Sequence, residues 1–211
     1  MNPVMLAIGR FLAAALAGYL LGAIPSGVVV GKLFGNVDPR QHGSGKTGAT
    51  NILRTLGPGA AVTVGVMDVL KGAIPVLLAR YVIFPDQLWA EAVAGFAALL
   101  GHNYSIFIGF KGGRGVATGG GATFAMQPLC VLFGAIGIIV PIALTRYVSL
   151  GSITACVACA VTDAVLVALR LDQVPHLVFI AGAAAFVIYA HRDNIVRLLN
   201  GTERKIGEKA A

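Results

Sequence analysis

Apolar runs of bilayer length recur along this chain, and no soluble core of its size could hide them all. Of 211 residues, 57% are hydrophobic and only 12% charged, with a mean hydropathy of +0.83, far beyond the usual balance of a soluble domain. Runs such as Val4 to Ile24 and Val174 to Ala190 have the length a helix needs to cross hydrocarbon. The pattern predicts an all-α polytopic membrane protein, one membrane domain over 1–211, with seven transmembrane helices near 4–24, 57–81, 88–109, 114–126, 129–145, 150–169 and 174–190. Arg10 interrupts the first run and no small-residue cleavage site follows it, so it reads as a span and not a signal peptide. The fourth segment carries Gly119-Gly120-Gly121 in its middle and stops at Gln127-Pro128, which predicts a short or broken helix. Irregular backbone at membrane depth is tolerated only where protein or a polar cavity covers it.

The net charge of +7 does not gather on one soluble face, which excludes a nucleic-acid partner. Instead Lys32, Arg40, Lys46, Arg54, Lys111, Arg114, Arg146, Arg192, Arg197, Arg204, Lys205 and Lys209 all fall on one side of the expected spans. The opposite loops keep mainly Arg80 and Arg170, offset by Asp86, Glu91 and Asp172. The positive-inside bias then predicts an outside N-terminus and a cytoplasmic C-terminus in a bacterial cytoplasmic membrane. Cys130, Cys156 and Cys159 sit within apolar runs, and a lone C-x-x-C has no second pair to complete a metal site; no metal and no cofactor are expected.

Three glycine- and charge-rich islands interrupt the oily chain, and this topology puts all three at the cytoplasmic end. They are His42 to Asn51 with Arg54, Lys111 to Thr118, and His191 to Asn194. Glycines let successive N–H groups face one point and nearby cations add charge, so phosphate is the natural guest. Gly45-Lys46-Thr47 imitates the end of a nucleotide-binding loop, but Arg40 stands where that motif requires glycine and no strand precedes it. In the first island, Gly43 and Gly45 free the backbone, Ser44 and Asn51 offer a hydroxyl and an amide, and Arg54 offers a planar fork. Interfacial anchoring explains a solitary Lys or Arg, but not ten consecutive small and polar residues.

In the second island Gly112, Gly113 and Gly115 would leave backbone amides open to an anion that Lys111 and Arg114 neutralise, with His102 nine residues upstream. His191 and Asn194, three apart, share a face if the last span continues as a helix, with Glu203 bracing them through Arg or Lys. Asp68 and Lys71 lie inside the second span at pairing distance, with roles in structure and site equally open. Gly18 to Gly22 and Gly27 to Gly31 have the spacing of close helix contacts.

These residues resemble a known family, the bacterial membrane glycerol-3-phosphate acyltransferases that use acyl phosphate. The resemblance covers nearly the whole chain: Ile24-Pro25-Ser26-Gly27 with Gly31-Lys32, Gly43-Ser44-Gly45 and Gly48-Ala49-Thr50-Asn51 with Arg54, and Asp68-x-x-Lys71-Gly72. It continues through Gly101-His102, Phe110-Lys111-Gly112-Gly113 with Gly115-Val116-Ala117-Thr118, and His191-x-x-Asn194-Ile195-x-Arg197 to Gly201-x-Glu203. It implies transfer of an acyl group from acyl phosphate to the sn-1 hydroxyl of glycerol 3-phosphate, in phospholipid synthesis, releasing lysophosphatidic acid and phosphate. It further implies Ser44, Arg54, Lys111, His191 and Asn194 as catalytic groups, with Gly112, Gly113, Gly115, Ser149 and Glu203 also in the site. Lys46 stands where the family usually has Asn, and Arg114 where it usually has Lys.

Acyl phosphate is a mixed anhydride with a good leaving group, so positioning and charge stabilisation suffice for direct transfer. The H-x-x-x-x-D pair of other acyltransferases is absent, because Thr47, Phe107, Ala181 and Val196 stand five positions after the four histidines. A transporter of a small phosphorylated solute is the competing function, but it calls for an internal repeat and a midplane site, and the islands here lie on one side. The chain implies substrates and surrounding membrane lipid as its partners and leaves its oligomeric state open.

Overall fold

The computed structural model describes residues 2–208, so Lys209 lies outside the described residues. Every regular element among them is helical. Ten α-helices follow in order: α1 (Pro3–Gly22), α2 (Ser26–Gly35), α3 (Ala49–Leu56), α4 (Pro58–Leu78), α5 (Leu88–Asn103), α6 (Val116–Met126), α7 (Pro128–Thr145), α8 (Val148–Ala168), α9 (Val174–Ala190) and α10 (Arg192–Leu199). Proline opens α1, α4, α7 and α9, where its missing N–H costs nothing. Ile24-Pro25 separates α1 from α2, and Gly57, at φ +85°, separates α3 from α4.

Four stretches are long and apolar enough to cross a membrane: Pro3–Gly35 (α1 with α2), Pro58–Ile83, Pro128–Thr145 and Val148–Ala168. The α9–α10 pair, bent by 59°, makes a fifth only when its two helices are counted as one span. Seven helices, α1 and α4 to α9, coincide with the seven expected segments, yet α5 and α6 have only 16 and 11 residues. The segment expected over 88–109 ends at Asn103, and Tyr104–Phe110 forms a loop whose Tyr104, Ile106, Phe107 and Phe110 are exposed. The glycine triplet does not break α6; it is a short continuous helix that presses Gly121 onto the α4 backbone at Val69 and meets α4 again where Gly72 abuts Thr118.

Small residues also set the remaining close approaches. Gly18 and Gly22 of α1 lie against the α5 backbone at Ala94 and Ala98, so a side chain at either position would collide with main chain. Phe179 of α9 is fully buried in the main apolar cluster, with Phe96 edge-on at 5.1 Å. Lipid tails are as apolar as the ring, so close packing and not removal from water fixes α9 against α5 here.

Candidate active site

The first island is a loop built by one buried amide. Asn51, in the first turn of α3, accepts the Ser44 N–H at 2.9 Å and shares its own protons among the carbonyls of Pro39 (2.8 Å), His42 (3.1 Å) and Lys46 (2.9 Å). Those bonds commit the Asn51 side chain to holding the loop, and the residue, expected to bind substrate, also lines the cavity. Gly43 and Gly45 turn the chain at φ +60° and +66° and lie off the cavity wall, which Ser44, Lys46 and Arg54 line.

The second island differs from the expected anion cradle. The Gly112 N–H donates to the Asn103 carbonyl at 3.1 Å and the Gly113 N–H to the His102 carbonyl at 3.3 Å, so these amides complete the end of α5. A Cβ on Gly112 would strike the His102 carbonyl, and one on Gly113 the His102 ring. Lys111 is exposed and stands off the cavity wall. Gly115, at φ +82°, caps the N-terminus of α6 and lines the cavity beside Arg114, whose Nε is buried without a partner. Burial lowers the Arg114 pKa, and the Arg197 and Arg54 charges add to that effect while Glu203 opposes it. Burial likewise lowers Arg54, with Arg204 adding to it.

In the third island the helix does not continue. It breaks at His191, yet His191 and Asn194 both face the cavity, 2% and 4% exposed. His191 Nδ1 lies 2.8 Å from the Val187 carbonyl. A carbonyl only accepts, so the proton sits on Nδ1 and Nε2 keeps its lone pair. Burial, helped by the Arg114 charge, outweighs the Val187 contact and pushes the His191 pKa down to about 4. Glu203 gathers Ser149 Oγ at 2.8 Å, Asn194 Nδ2 at 2.6 Å and Arg197 Nε at 2.8 Å. Burial alone would raise the Glu203 pKa, but these donors hold it below the ordinary carboxylate range. With its amide nitrogen so placed, Asn194 Oδ1 is a buried acceptor without a partner.

All three islands thus converge on one cavity of about 620 Å³. Its mouth is polar and cationic: Lys46, Arg54 and Arg114 line it, against a single carboxylate there, Glu203, already held by three donors. Its depth is apolar, walled by α6 to α9 through residues such as Val131, Ile138, Ile180 and Val187 that sequence reasoning did not single out. They belong to uniformly apolar runs of α7 and α9, in which residue type does not set a wall residue apart from a lipid-facing one. Asp68 and His102 border the cavity from beneath. Lys71 Nζ meets Asp68 at 2.8 Å and donates to the Ile24 carbonyl at 2.8 Å, while His102 Nδ1 lies 3.0 Å from Thr118 Oγ1. Lys71 therefore ties α4 to the α1–α2 break. Among the described residues no His, Cys, Asp or Glu cluster has the form of a metal site.

A family model described as glycerol-3-phosphate acyltransferase matches residues 12–201. The glycerol-3-phosphate acyltransferase of Acholeplasma laidlawii is 40% identical, with 93% of each chain covered. That of Synechococcus sp. (strain JA-3-3Ab) is 46% identical, with 95% of each covered. Among solved structures, the chain is similar to PlsY (YgiH), an integral membrane glycerol 3-phosphate acyltransferase. The glycerol 3-phosphate form gives a TM-score of 0.84 at 42% identity, covering 93% of this chain and 96% of that one. The lysophosphatidic acid form gives 0.83 at 41%, covering 93% and 95%.

Proposed function

The chain belongs to the glycerol-3-phosphate acyltransferase family and is an integral membrane acyltransferase; from that premise we propose that its acyl donor is acyl phosphate and its acceptor the sn-1 hydroxyl of glycerol 3-phosphate. The observation that carries this is the division of one cavity into a cationic mouth and an apolar depth. Arg54 and Arg114 hold phosphate at the mouth, and Lys111, three residues from Arg114, supplies an outer cation. The Nε2 lone pair of His191 accepts the hydroxyl proton as the sn-1 oxygen attacks the acyl carbon. The acyl C–O bond breaks, the electron pair leaves with phosphate, which takes the proton back from His191 as hydrogen phosphate, and lysophosphatidic acid remains. Asn194 and Ser44 orient the reacting groups, while Ser149, Arg197 and Glu203 fix Asn194 in place.

In this reading the chain crosses a bacterial cytoplasmic membrane seven times, with the N-terminus outside and the C-terminus cytoplasmic. The eleven residues of α6 span only about 16 Å, so the Lys111–Gly115 loop is sunk below the cytoplasmic surface, where the cavity opens. The test is purified protein in detergent with glycerol 3-phosphate and either palmitoyl phosphate or palmitoyl-CoA. Phosphate release and lysophosphatidic acid are expected from the first donor only; equal use of the thioester overturns the donor assignment.

A further inference from the structure

A second polar cluster lies at the opposite end of the bundle, and the proposed reaction does not use it. Arg80 meets Glu91 through two bonds of 2.6 and 3.0 Å. His176 stands between Glu91 (3.4 Å) and Asp172 (2.7 Å), and Gln127 donates to Asp172 at 3.1 Å. Asp163, fully buried beside Asp172, accepts the Cys130 thiol at 3.6 Å and keeps one oxygen without a partner.

Helical spacing shows where this cluster stands relative to the cavity. On α8 the wall residues Ser149, Ser152, Cys156 and Cys159 advance by three or four, and the next position on that face is Asp163. On α9 the wall descends through Val187, Ala184 and Ile180, and the next position is His176. On α7 it descends through Ile138, Gly134 and Val131, and the next is Gln127. Three wall helices thus change from apolar to polar at one level.

We propose that this cluster is the floor of the acyl groove and limits the length of acyl chain that the groove itself holds, a proposal that rests on the donor reading above. A methyl end pushed into the cluster would displace bonds among buried polar groups with nothing to replace them. Small residues higher up, Gly134 and Ala184 among them, leave room for the chain. From His191 to Ile180 the wall of α9 runs eleven residues, about 16 Å, room for on the order of a dozen extended methylenes. Longer tails turn sideways toward lipid and gain little further.

The test measures kcat/KM with glycerol 3-phosphate for acyl phosphates from octanoyl to stearoyl. The wild-type value rises with length and levels off near lauroyl. Cys159→Phe, one turn above the floor, lowers the ratio of lauroyl to octanoyl kcat/KM about 10-fold, and Asp163→Leu moves the plateau to longer chains. A ratio unmoved in Cys159→Phe overturns the proposal. A second readout needs neither turnover nor a folded variant: maleimide modification of native Cys159, followed by mass spectrometry. Lauroyl lysophosphatidic acid is expected to protect the thiol and the octanoyl compound to leave it reactive; equal protection by both overturns the floor. Absence of turnover with every acyl phosphate while protection keeps its length dependence refutes the donor assignment alone.

Discussion

The two ends of the bundle hold the same kinds of side chain in opposite balance. At the far end Arg80 and His176 face Glu91, Asp172 and Asp163, so carboxylates match or outnumber cations and bind them directly. At the cavity mouth Lys46, Arg54 and Arg114 face one carboxylate that is already engaged, and Arg114 Nε and Asn194 Oδ1 have no partner. A polar group removed from water is costly until something bonds it. The far end meets each of its cations with a carboxylate and leaves only a carboxylate oxygen and an imidazole nitrogen unpaired; the mouth leaves positive charge for an anionic substrate. Burial of charge alone therefore does not identify a site; the excess of one sign does.

The sharpest way to break this contrast is to remove a mouth cation. Arg54→Ala or Arg114→Ala is expected to lower kcat/KM by roughly 10²–10³-fold with little change in Tm; phosphate release and a thermal melt measure the two. Lys111→Ala, off the wall, is expected to lose less, about 10-fold. At the charge-matched end the effects exchange places: Glu91→Gln leaves Arg80 without its counter-charge and lowers stability by ~3 kcal/mol, read from a melt, and acts on turnover with octanoyl phosphate only slightly.

His191 gives a test in pH. Its folded pKa is near 4 against 6.5 for the free side chain, so between those values the unfolded chain binds the extra proton and stability falls as the pH falls. The window from pH 6.5 to 4 is expected to remove on the order of 3 kcal/mol. The acid limb of kcat/KM is expected near pH 4; a limb near 6.5 would show a solvated imidazole. The smallest effect is expected for Ser149→Ala, which takes one of three donors from Glu203 and costs about 1 kcal/mol, seen as a modest drop in kcat.

Composition made the long helices legible, because hydrocarbon thickness dictates their length: α9 spans the expected residues and α7 and α8 lie within two of them. The short helices α2, α3 and α10, of eight to ten residues, were not legible. α3 and α10 begin in polar islands, where glycine and charge mask a helical period, and the ten residues of α2 follow Pro25 in a run too short to stand out as a span. The end of α5 was misjudged because Ile106, Phe107 and Phe110 continue the apolar run while the backbone has already left the helix. The convergence of Ser44, Arg54, Arg114, His191, Asn194 and Glu203 on one cavity followed from topology, since alternate loops of a helical bundle share a side. The partners of individual amides did not follow: the claims of the α5 carbonyls on Gly112 and Gly113 depend on an approach of backbones that residue types do not reveal.

That approach bears on how mutagenesis of this protein should be interpreted. Adding even one methyl at Gly112 or Gly113 would press on the His102 carbonyl or ring, so an inactive alanine variant there would imitate a lost ligand contact while reporting only crowding. Swapping the amide for an ester at either position, which deletes the donor and adds no bulk, separates the two causes.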